Sequence, residues 1–258
     1  MNLTIRAAGS TSIGLVRKNN EDAFFVDERL GLFIVSDGMG GAQAGEVAAQ
    51  LVTTAFPRVI RTRLKSGAFA RSSTIRSWLQ RDLLELSQTI YKQSWGNPMA
   101  EGMGATVVLA LVKGGQVHVA HMGDSRAYLY RQDLLTQLTQ DHSIVSLLLR
   151  EGEITETEAK RHPARGNLTR FIGMKEEVFG DVRSITLRPG DRLLLCTDGL
   201  SGMIPDRDVC RILKACSAPE QACRSLIDAA NRAGGRDNVT AVVVNVDTTG
   251  TKESFRGT

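Results

Sequence analysis

Three aspartates at the ends of apolar segments constrain this chain more than any other feature of its sequence. Asp37 and Asp198 each end a short apolar run and precede a glycine, whereas Asp237 stands just before the last apolar segment, residues 239–246. Short apolar runs bounded by turn residues are typical of buried strands. Carboxylates gathered from three strand ends would form the all-oxygen kind of site that Mg²⁺ and Mn²⁺ prefer. The sequence therefore predicts a divalent metal site built from distant parts of the chain.

A fourth segment, near the N-terminus, adds charges of both signs. Glu21 offers a further carboxylate for a second metal, and Asp22 follows it directly. Arg17 lies four residues earlier, and its planar guanidinium suits bidentate contact with a phosphate dianion. A lone arginine is usually a solvated surface residue. Placed beside these carboxylates, it favours the hypothesis of a phosphate ester hydrolase.

Six short motifs occur in order along nearly the whole chain, from about residue 9 to residue 246. They are GLVRKNNED at 14–22, SDGMGG at 36–41, GAT at 104–106, GDSR at 123–126, TDGL at 197–200 and GRDNVT at 235–240. An Asp-Gly pair alone is first of all a turn signal, but six pieces in one order and spacing are specific. In these motifs the chain resembles the metal-dependent protein phosphatases of the type 2C family, in their compact bacterial form.

This resemblance implies a ligand set for two core ions of Mn²⁺ or Mg²⁺. In the family's pattern Asp37 bridges both ions, and the carbonyl of Gly38 binds one of them. Asp198 and Asp237 hold the other ion, while Glu21 contributes to the first, partly through water. Hard oxygen ligands of this kind leave such ions several water molecules for the reaction.

The resemblance also implies roles outside the core pair. Asp124 matches the aspartate of a third, weaker metal, which it shares with Asp198. Arg17 occupies the family's position for binding the substrate's phosphate, so we count it, with the three core aspartates, among the catalytic residues. Asp22 adjoins the site without an assigned bond to metal.

The implied function is a metal-dependent protein serine/threonine phosphatase. Two bridged metal ions would activate a water for in-line attack on phosphoserine or phosphothreonine. The implied partners are phosphorylated proteins, those of a Ser/Thr kinase and the kinase itself. The alternative is a catalytically silent phosphopeptide-binding module of the same fold. Such a module is expected to lose metal carboxylates, and this chain keeps Asp37, Asp198 and Asp237.

The chain departs from the family at the general acid. Many relatives have a histidine after the metal-bridging Asp-Gly pair, where this chain has Met39, and many bacterial members have one after the Gly-Gly pair, where it has Ala42. A water at the metals, His142 and His162 are the remaining candidates for protonating the leaving oxygen. Since a lone histidine more often makes a structural hydrogen bond, neither histidine is preferred.

Other mechanistic classes do not fit the residues. Ser125 lies in a strand pattern, and the chain has no G-x-S-x-G nucleophile elbow. A cysteine-dependent phosphatase needs an arginine six positions after its nucleophile, and none of the four cysteines has one. We interpret those cysteines as free thiols.

Charge and composition restrict the partners and the location. Seven basic residues between positions 58 and 81 contribute to a formal net charge of +4. A solvated helical face explains this cluster, so we predict no nucleic-acid partner. With no signal peptide pattern and no window of roughly 18 apolar residues, we predict a cytoplasmic monomer without a membrane partner.

The order of segments predicts an α+β protein with a single catalytic domain over residues 1–246 and a short polar tail over 247–258. Short turns between apolar runs favour antiparallel pairing. Long helical periods begin near Gly45, with a kink at Pro57, and near Ile75. The family implies a four-layer α-β-β-α sandwich of two antiparallel sheets flanked by helix pairs, with a flap at about residues 143–175. We also predict a helix that begins with a capping box of Ser217 and Glu220.

Overall fold

The computed structural model describes residues 3–40, 44–65, 72–97, 100 and 102–248. The strands in these ranges are β1 (Leu3–Ser12), β2 (Asp22–Asp27), β3 (Leu32–Met39), β4 (Gly104–Ala105), β5 (Val107–Lys113), β6 (Gln116–Met122), β7 (Arg126–Arg131), β8 (Leu134–Gln137), β9 (Asp181–Thr186), β10 (Arg192–Cys196) and β11 (Val239–Thr248). The helices are α1 (Ala44–Lys65), α2 (Ser72–Ser94), α3 (Ile144–Glu151), α4 (Glu156–Ala159), α5 (Asp198–Ser201), α6 (Asp206–Ala215) and α7 (Pro219–Arg232).

The strands form two antiparallel sheets. One has the order β1-β11-β10-β7-β8, and the other has the order β2-β3-β5-β6-β9 with β4 beside β3. Hairpin turns join several neighbours, as the short connections predicted. The register of β2 against β3 sets Asp22 opposite Asp37, at the end of the strand where the SDGMGG motif begins to turn. Two predicted motifs therefore meet through strand pairing alone.

Alternating side chains of the central strands build three apolar layers. In β3, Phe33 and Val35 face the layer between the two sheets, whereas Leu32 and Ile34 face helices α1 and α2. In β11, residues such as Val242 belong to the inner layer and their neighbours to the layer beneath α6 and α7. Because the side-chain period of a strand is two, each central strand supplies two layers at once. The predicted four-layer α-β-β-α sandwich is confirmed.

The outer helices cover the sheets with periodic apolar faces. In α1 the buried side chains include Val52, Phe56 and Ile60, which follow the helical period. The helix continues through Pro57 to Lys65. Thus the helix predicted from Gly45 onward exists, and the proline does not end it.

The basic cluster of α1 and α2 includes ion pairs within the fold. Arg61 donates to Asp27 at 2.9 Å, and Arg63 pairs with the largely buried Asp82. Position 71, the other end of the joint between these helices, lies outside the described residues. The cluster therefore holds α1 and α2 in place as well as contributing surface charge.

The capping box predicted for α7 is wrong. The helix begins at Pro219, and its N-cap residue is Ala218, which makes no side-chain capping bond. A residue before proline is disfavoured in the helical region, so Ala218 stays extended and the helix cannot begin before Pro219. Ser217 is thus one position too early to cap this helix.

The flap and the C-terminus differ in detail from the sequence pattern. The polar stretch after α3 contains one further short helix, α4, which begins with a capping box of Thr155 and Glu158. Strand β11 extends beyond residue 246 to Thr248, where it pairs with Leu3. The rest of the predicted tail, 249–258, lies outside the described residues. In the described ranges, no helix combines the length and hydrophobicity needed to cross a membrane.

We expect Phe33→Ala to destabilise the fold strongly, because the fully buried ring lies between the two sheets. Removing such a side chain costs about 3–5 kcal/mol of unfolding free energy. Urea unfolding in EDTA measures this change without the contribution of bound metal. Leu134→Ala is the control, since this exposed leucine of β8 should change stability by less than about 0.5 kcal/mol. Equal losses in both variants would contradict the assignment of the inner layer.

Candidate metal centre

The predicted site residues converge on one cavity of about 340 Å³ at the edge of the two sheets. They come from five places in the chain: the end of β3, the start of α5, the residue pair before β11, the segment before β2 and the turn between β6 and β7. The predicted residues that line the cavity are Arg17, Glu21, Asp37, Gly38, Asp124, Asp198 and Asp237. All seven are brought together, although their individual roles stay predictions.

Backbone hydrogen bonds fix Asp37 at the end of β3. Its N–H donates to Thr106 Oγ1 at 3.0 Å, and its carbonyl accepts from Thr106 N at 2.8 Å. The Thr106 hydroxyl also lies 2.6 Å from Ser125 Oγ, which follows Asp124. Thr106 therefore connects the core aspartate with the segment that carries the predicted third-metal ligand. Sequence reasoning used Thr106 only as part of a motif and missed this role.

Asn238 performs a similar task for the N-terminal segment. Its Oδ1 accepts from Glu21 N at 2.8 Å, and its Nδ2 donates to the carbonyls of Ile13 at 3.0 Å and Asn19 at 2.9 Å. The amide side chain thus holds the segment with Glu21 against the strand end with Asp237. Only its place beside Asp237 in the sixth motif could have indicated this function.

The glycines after two of the aspartates are required by close backbone approach. A Cβ on Gly38 would lie 2.0 Å from the Gly45 carbonyl oxygen, and one on Gly199 would lie 1.8 Å from the Asn238 carbonyl oxygen. Any side chain at either position would push neighbouring backbone segments apart. The Asp-Gly pairs therefore reflect dense packing around the carboxylates and not merely turns.

Burial and mutual repulsion raise the pKa values of the carboxyl groups. The pKa of Asp37 lies well above its ordinary range because the group is buried, and repulsion from Asp22, Asp198 and Asp124 raises it further. Burial likewise raises the pKa of Asp124 to about 7, and repulsion from Asp198 adds to the shift. The pKa of Asp198 is raised by burial and by Asp237. Several buried carboxyl groups thus resist carrying negative charge together.

Two carboxyl oxygens in this cluster lack hydrogen-bond partners within the described residues. They are Oδ1 of Asp198 and Oδ1 of Asp22, both buried. Unsatisfied oxygens beside repelling carboxylates are what divalent cations stabilise, since a cation supplies both a bond and the opposite charge. The donors are all carboxyl or carbonyl oxygens, so the residues fit Mn²⁺ or Mg²⁺.

Asp22 links the two sheets behind the cavity. Its Oδ2 accepts from the hydroxyls of Thr197 at 2.9 Å and Thr240 at 2.7 Å. Thr240 belongs to β11 of the other sheet, and Thr197 directly follows β10 of that sheet. Burial raises the pKa of Asp22 to about 7, although both hydroxyl bonds oppose the shift. The residue therefore couples the strand end of Asp37 to those of Asp198 and Asp237.

Arg17 lies at the mouth of the cavity. Its Nη2 donates to Asp237 Oδ2 at 2.7 Å, and the side chain remains 53% exposed. This hydrogen bond raises the pKa of the guanidinium. An arginine has five N–H donors in a fixed fork, so one bond to Asp237 leaves others available to an incoming anion. The contact orients the guanidinium over the carboxylate cluster.

A sequence profile described as Protein phosphatase 2C matches residues 16–232. The chain belongs to this family. Its sequence is 37% identical to "Serine/threonine phosphatase stp" of Listeria monocytogenes serotype 4b (strain F2365) over 243 residues, which cover 93% of this chain and 95% of the relative.

Solved structures of relatives share the fold. The catalytic domain of the serine threonine protein phosphatase PstP, in complex with two manganese ions, has a TM-score of 0.84 at 35% identity, covering 96% of this chain and 100% of that one. PppA, described as a key regulatory component of T6SS in Pseudomonas aeruginosa, has a TM-score of 0.78 at 32% identity, covering 95% of this chain and 100% of that one.

This phosphatase 2C family member has no histidine in its metal cavity. All four histidines belong to the described residues, and none lines the cavity. Met39 does line it, whereas position 42 lies outside the described residues. His162 accepts a bond from Ala164 N at 3.1 Å within the flap. A histidine acid at the cavity is therefore not part of this geometry.

His142 has both ring nitrogens engaged elsewhere. Gly123 N donates to its Nδ1 at 3.3 Å, and its Nε2 lies 3.2 Å from Asp181 Oδ2. Burial lowers the pKa of His142 to about 4, and the neighbouring His121 lowers it further. The ring is consequently neutral near pH 7 and supports the loop that carries Asp124.

His121, His142 and Asp181 form a second group of potential metal donors, whose atoms lie within 4.8 Å of one another. The two imidazole rings stack with 4.5 Å between centroids and 14° between planes. Imidazole binds a metal in its ring plane, and stacked rings direct their lone pairs along separate planes. The aspartate cavity, with its carboxyl and carbonyl oxygens, therefore stays the predicted place for the metals.

We expect Mn²⁺ binding to weaken as the pH falls from 8 to 6. Asp124 has a pKa of about 7 in the metal-free protein, so it must lose its proton before it can bind a cation. Each such carboxyl group should weaken the affinity by about tenfold over this range and release protons on binding. The folding stability of the metal-free protein depends on pH in the opposite direction. A raised carboxyl pKa stabilises the folded state at low pH, and this stabilisation is lost as the pH rises through 7.

Calorimetric titration with Mn²⁺ in two buffers of different ionisation enthalpy gives the affinity and the number of protons released. Asp247→Asn is the control, because this carboxylate lies on the far end of β11 and pairs with Arg6. An affinity that is the same at pH 6 and pH 8, with no proton release, would contradict the raised pKa values.

Proposed function

We propose that this protein removes phosphate from phosphoserine and phosphothreonine side chains of other proteins, in a reaction that requires Mn²⁺ or Mg²⁺. The observation that carries this proposal is the convergence of four aspartates and a glutamate on one cavity with an exposed arginine at its mouth. Family membership supports the reaction class, since relatives with the same fold carry the name serine/threonine phosphatase.

The described carboxylates would hold two ions in the core of the site. In the family's pattern Asp37, with the Gly38 carbonyl, would serve both ions, Asp198 and Asp237 would hold one of them, and Glu21 would contribute to the other; all five residues line the cavity. Bound there, the ions would lower the pKa of water and neutralise charge on the phosphoryl group. A weaker third ion would be held by Asp124 together with Asp198.

Arg17 would bind and orient the phosphate. Its bond to Asp237 restricts the rotation of the guanidinium before the substrate arrives. A preoriented donor fork loses little conformational freedom on binding, so more of its interaction energy contributes to holding the phosphate in line for attack. The rest of the chain positions these groups through Thr106 and Asn238.

The leaving serine or threonine oxygen needs a proton that no histidine of the cavity can supply. With the two nitrogens of His142 engaged and His162 bonded within the flap, the proton would come from solvent water in the open site. The absence of this histidine distinguishes the cavity from those of relatives that carry one. The predicted metal-binding carboxylates are nevertheless all present, whereas a catalytically silent binding module would be expected to lose them.

We further propose a cytoplasmic monomer that acts in signal transduction. One catalytic domain over residues 1–246, with its flap at about 143–175, would oppose a Ser/Thr kinase by acting on that kinase and its substrates. The open cavity supports protein substrates, because a phosphorylated side chain on an extended segment can reach it. Comparative phosphoproteomics of a deletion strain would identify these substrates.

We expect hydrolysis of p-nitrophenyl phosphate to disappear after EDTA treatment and to return on addition of Mn²⁺ or Mg²⁺.

Asp37→Asn and Asp237→Asn should abolish turnover, because each removes a carboxylate from the centre of the cluster. Arg17→Ala should lower kcat/KM by about tenfold to a hundredfold, as expected for losing a charge-assisted phosphate contact.

Arg6→Ala is the matched control for Arg17→Ala. Arg6 is 62% exposed and pairs with Asp247 at 3.0 Å, so it is a similar exposed arginine–aspartate pair outside the cavity. Unchanged kinetics are expected for this variant. Full turnover in metal-free protein, or wild-type rates in Asp37→Asn, would refute the proposed reaction.

We expect His142→Ala and His162→Ala to slow a phosphothreonine peptide and p-nitrophenyl phosphate equally or not at all. Threonine alkoxide is a poor leaving group and needs a proton, whereas p-nitrophenolate leaves without one. A lost general acid would therefore affect the peptide selectively. Profiles of kcat against pH for both substrates test this point. If one variant lost only the peptide reaction, together with its basic limb, that histidine would be the acid.

A further inference from the structure

A turn beside Arg17 leaves three apolar side chains in water. Ile13, Leu15 and Val16 are 39%, 69% and 65% exposed. The other large hydrophobic side chains exposed in the described ranges stand apart from one another in sequence: Val47, Val59, Trp95, Leu134, Leu147 and Phe179. Single exposed apolar residues are ordinary, but three within four positions form a patch that needs an explanation.

The backbone of this turn is fixed, so the exposure does not come from a loose loop. Leu15 N donates to the Gly235 carbonyl at 2.7 Å, and Asn238 Nδ2 donates to the Ile13 carbonyl at 3.0 Å. Gly14 has φ +80°, and a Cβ there would lie 2.2 Å from the Asp237 carbonyl oxygen. The turn is therefore held against the segment that carries Asp237, while the side chains of Leu15 and Val16 remain mostly exposed.

Leu15 and Val16, the two most exposed side chains of the patch, lie two residues and one residue before the arginine proposed to bind phosphate. Successive residues of an extended chain advance by about 3.3–3.6 Å, so Leu15 lies at most roughly 7 Å along the chain from Arg17. A bound peptide has the same spacing between successive residues. If its phosphate contacts Arg17, the residues next to its phosphorylated residue lie within similar distances of Arg17. Leu15 and Val16 are thus in reach of side chains close to the phosphorylated residue.

We propose that residues 13–16 form an apolar subsite that binds a hydrophobic side chain of the substrate, within about three positions of its phosphorylated residue. The subsite rests on the proposed function, because it uses Arg17 as the phosphate contact. A short substrate segment fits better than a second copy of the chain. Three side chains cover only a small part of the roughly 800 Å² per partner that a stable protein interface buries.

The test compares phosphothreonine peptides that differ only in one flanking residue. Leucine, glycine or lysine is placed in turn at each of the three positions before and after the phosphothreonine. We expect leucine at one or two of these positions to raise kcat/KM of the wild-type enzyme by about three- to tenfold over glycine, as partial burial of one apolar side chain predicts.

Two variants remove the patch without touching the cavity. Leu15→Ser and the nearly isosteric Val16→Thr should abolish the preference for leucine, chiefly through KM, while p-nitrophenyl phosphate and the glycine peptide react as with wild type. Leu134→Ser is the matched control, since Leu134 is 66% exposed on β8 and does not line the cavity. It should retain the full preference.

Several results would overturn the subsite. One is hydrolysis of all peptides at equal kcat/KM by an enzyme that is active on p-nitrophenyl phosphate, which leaves the proposed function intact. Another is an equal loss in Leu15→Ser and Leu134→Ser. A dimer in sedimentation that Leu15→Ser dissociates, with unchanged peptide preference, would assign the patch to a second copy instead. Absence of hydrolysis of every substrate with Mn²⁺ would overturn the proposed function and the subsite together.

Discussion

Repulsion among buried carboxyl groups is the constraint on which the site depends. Asp37, Asp124 and Asp198 are held close enough that burial and mutual repulsion raise their pKa values. An isolated arrangement of this kind costs free energy, so the surrounding fold must hold it in place. The same repulsion makes the cavity a strong binding place for divalent cations, whose charge removes it. The repulsion destabilises the metal-free fold, and its relief when cations bind increases the affinity for metal.

The two-sheet architecture supplies the necessary support. One sheet ends in Asp37, and strand ends of the other lead to Asp198 and Asp237, so packing of the sheets brings the three groups together. Polar side chains then lock the junction: Asp22 accepts from hydroxyls across the sheets, and Asn238 holds the segment of Glu21. The neutral hydroxyl donors can approach the Asp22 carboxyl group without adding charge, and the Asn238 amide bonds only to backbone groups. The inner apolar layer keeps these contacts in register.

The rim of the cavity combines a fixed cation with a fixed apolar turn. Asp237 and its neighbours anchor both, because they bond to Arg17 and to the backbone of residues 13–16. Phosphate affinity alone would not distinguish one phosphoprotein from another. An apolar contact close in sequence to the phosphate-binding arginine would add discrimination at little cost, since the turn is already held by hydrogen bonds.

The sequence by itself determined the fold class, the family and seven of the residues that line the cavity, because aspartates at strand ends and glycines beside them are local features with specific spacing. Tertiary structure alone decided what surrounds them. The helix start at Pro219, the bonding of Asn238 and the engagement of both ring nitrogens of His142 depend on which groups meet in space. Exposure of Leu15 and Val16 was also invisible in the sequence, because an apolar letter in a turn does not show whether another element covers it. Spacing along a chain fixes local chemistry, whereas burial and partners come from long-range packing.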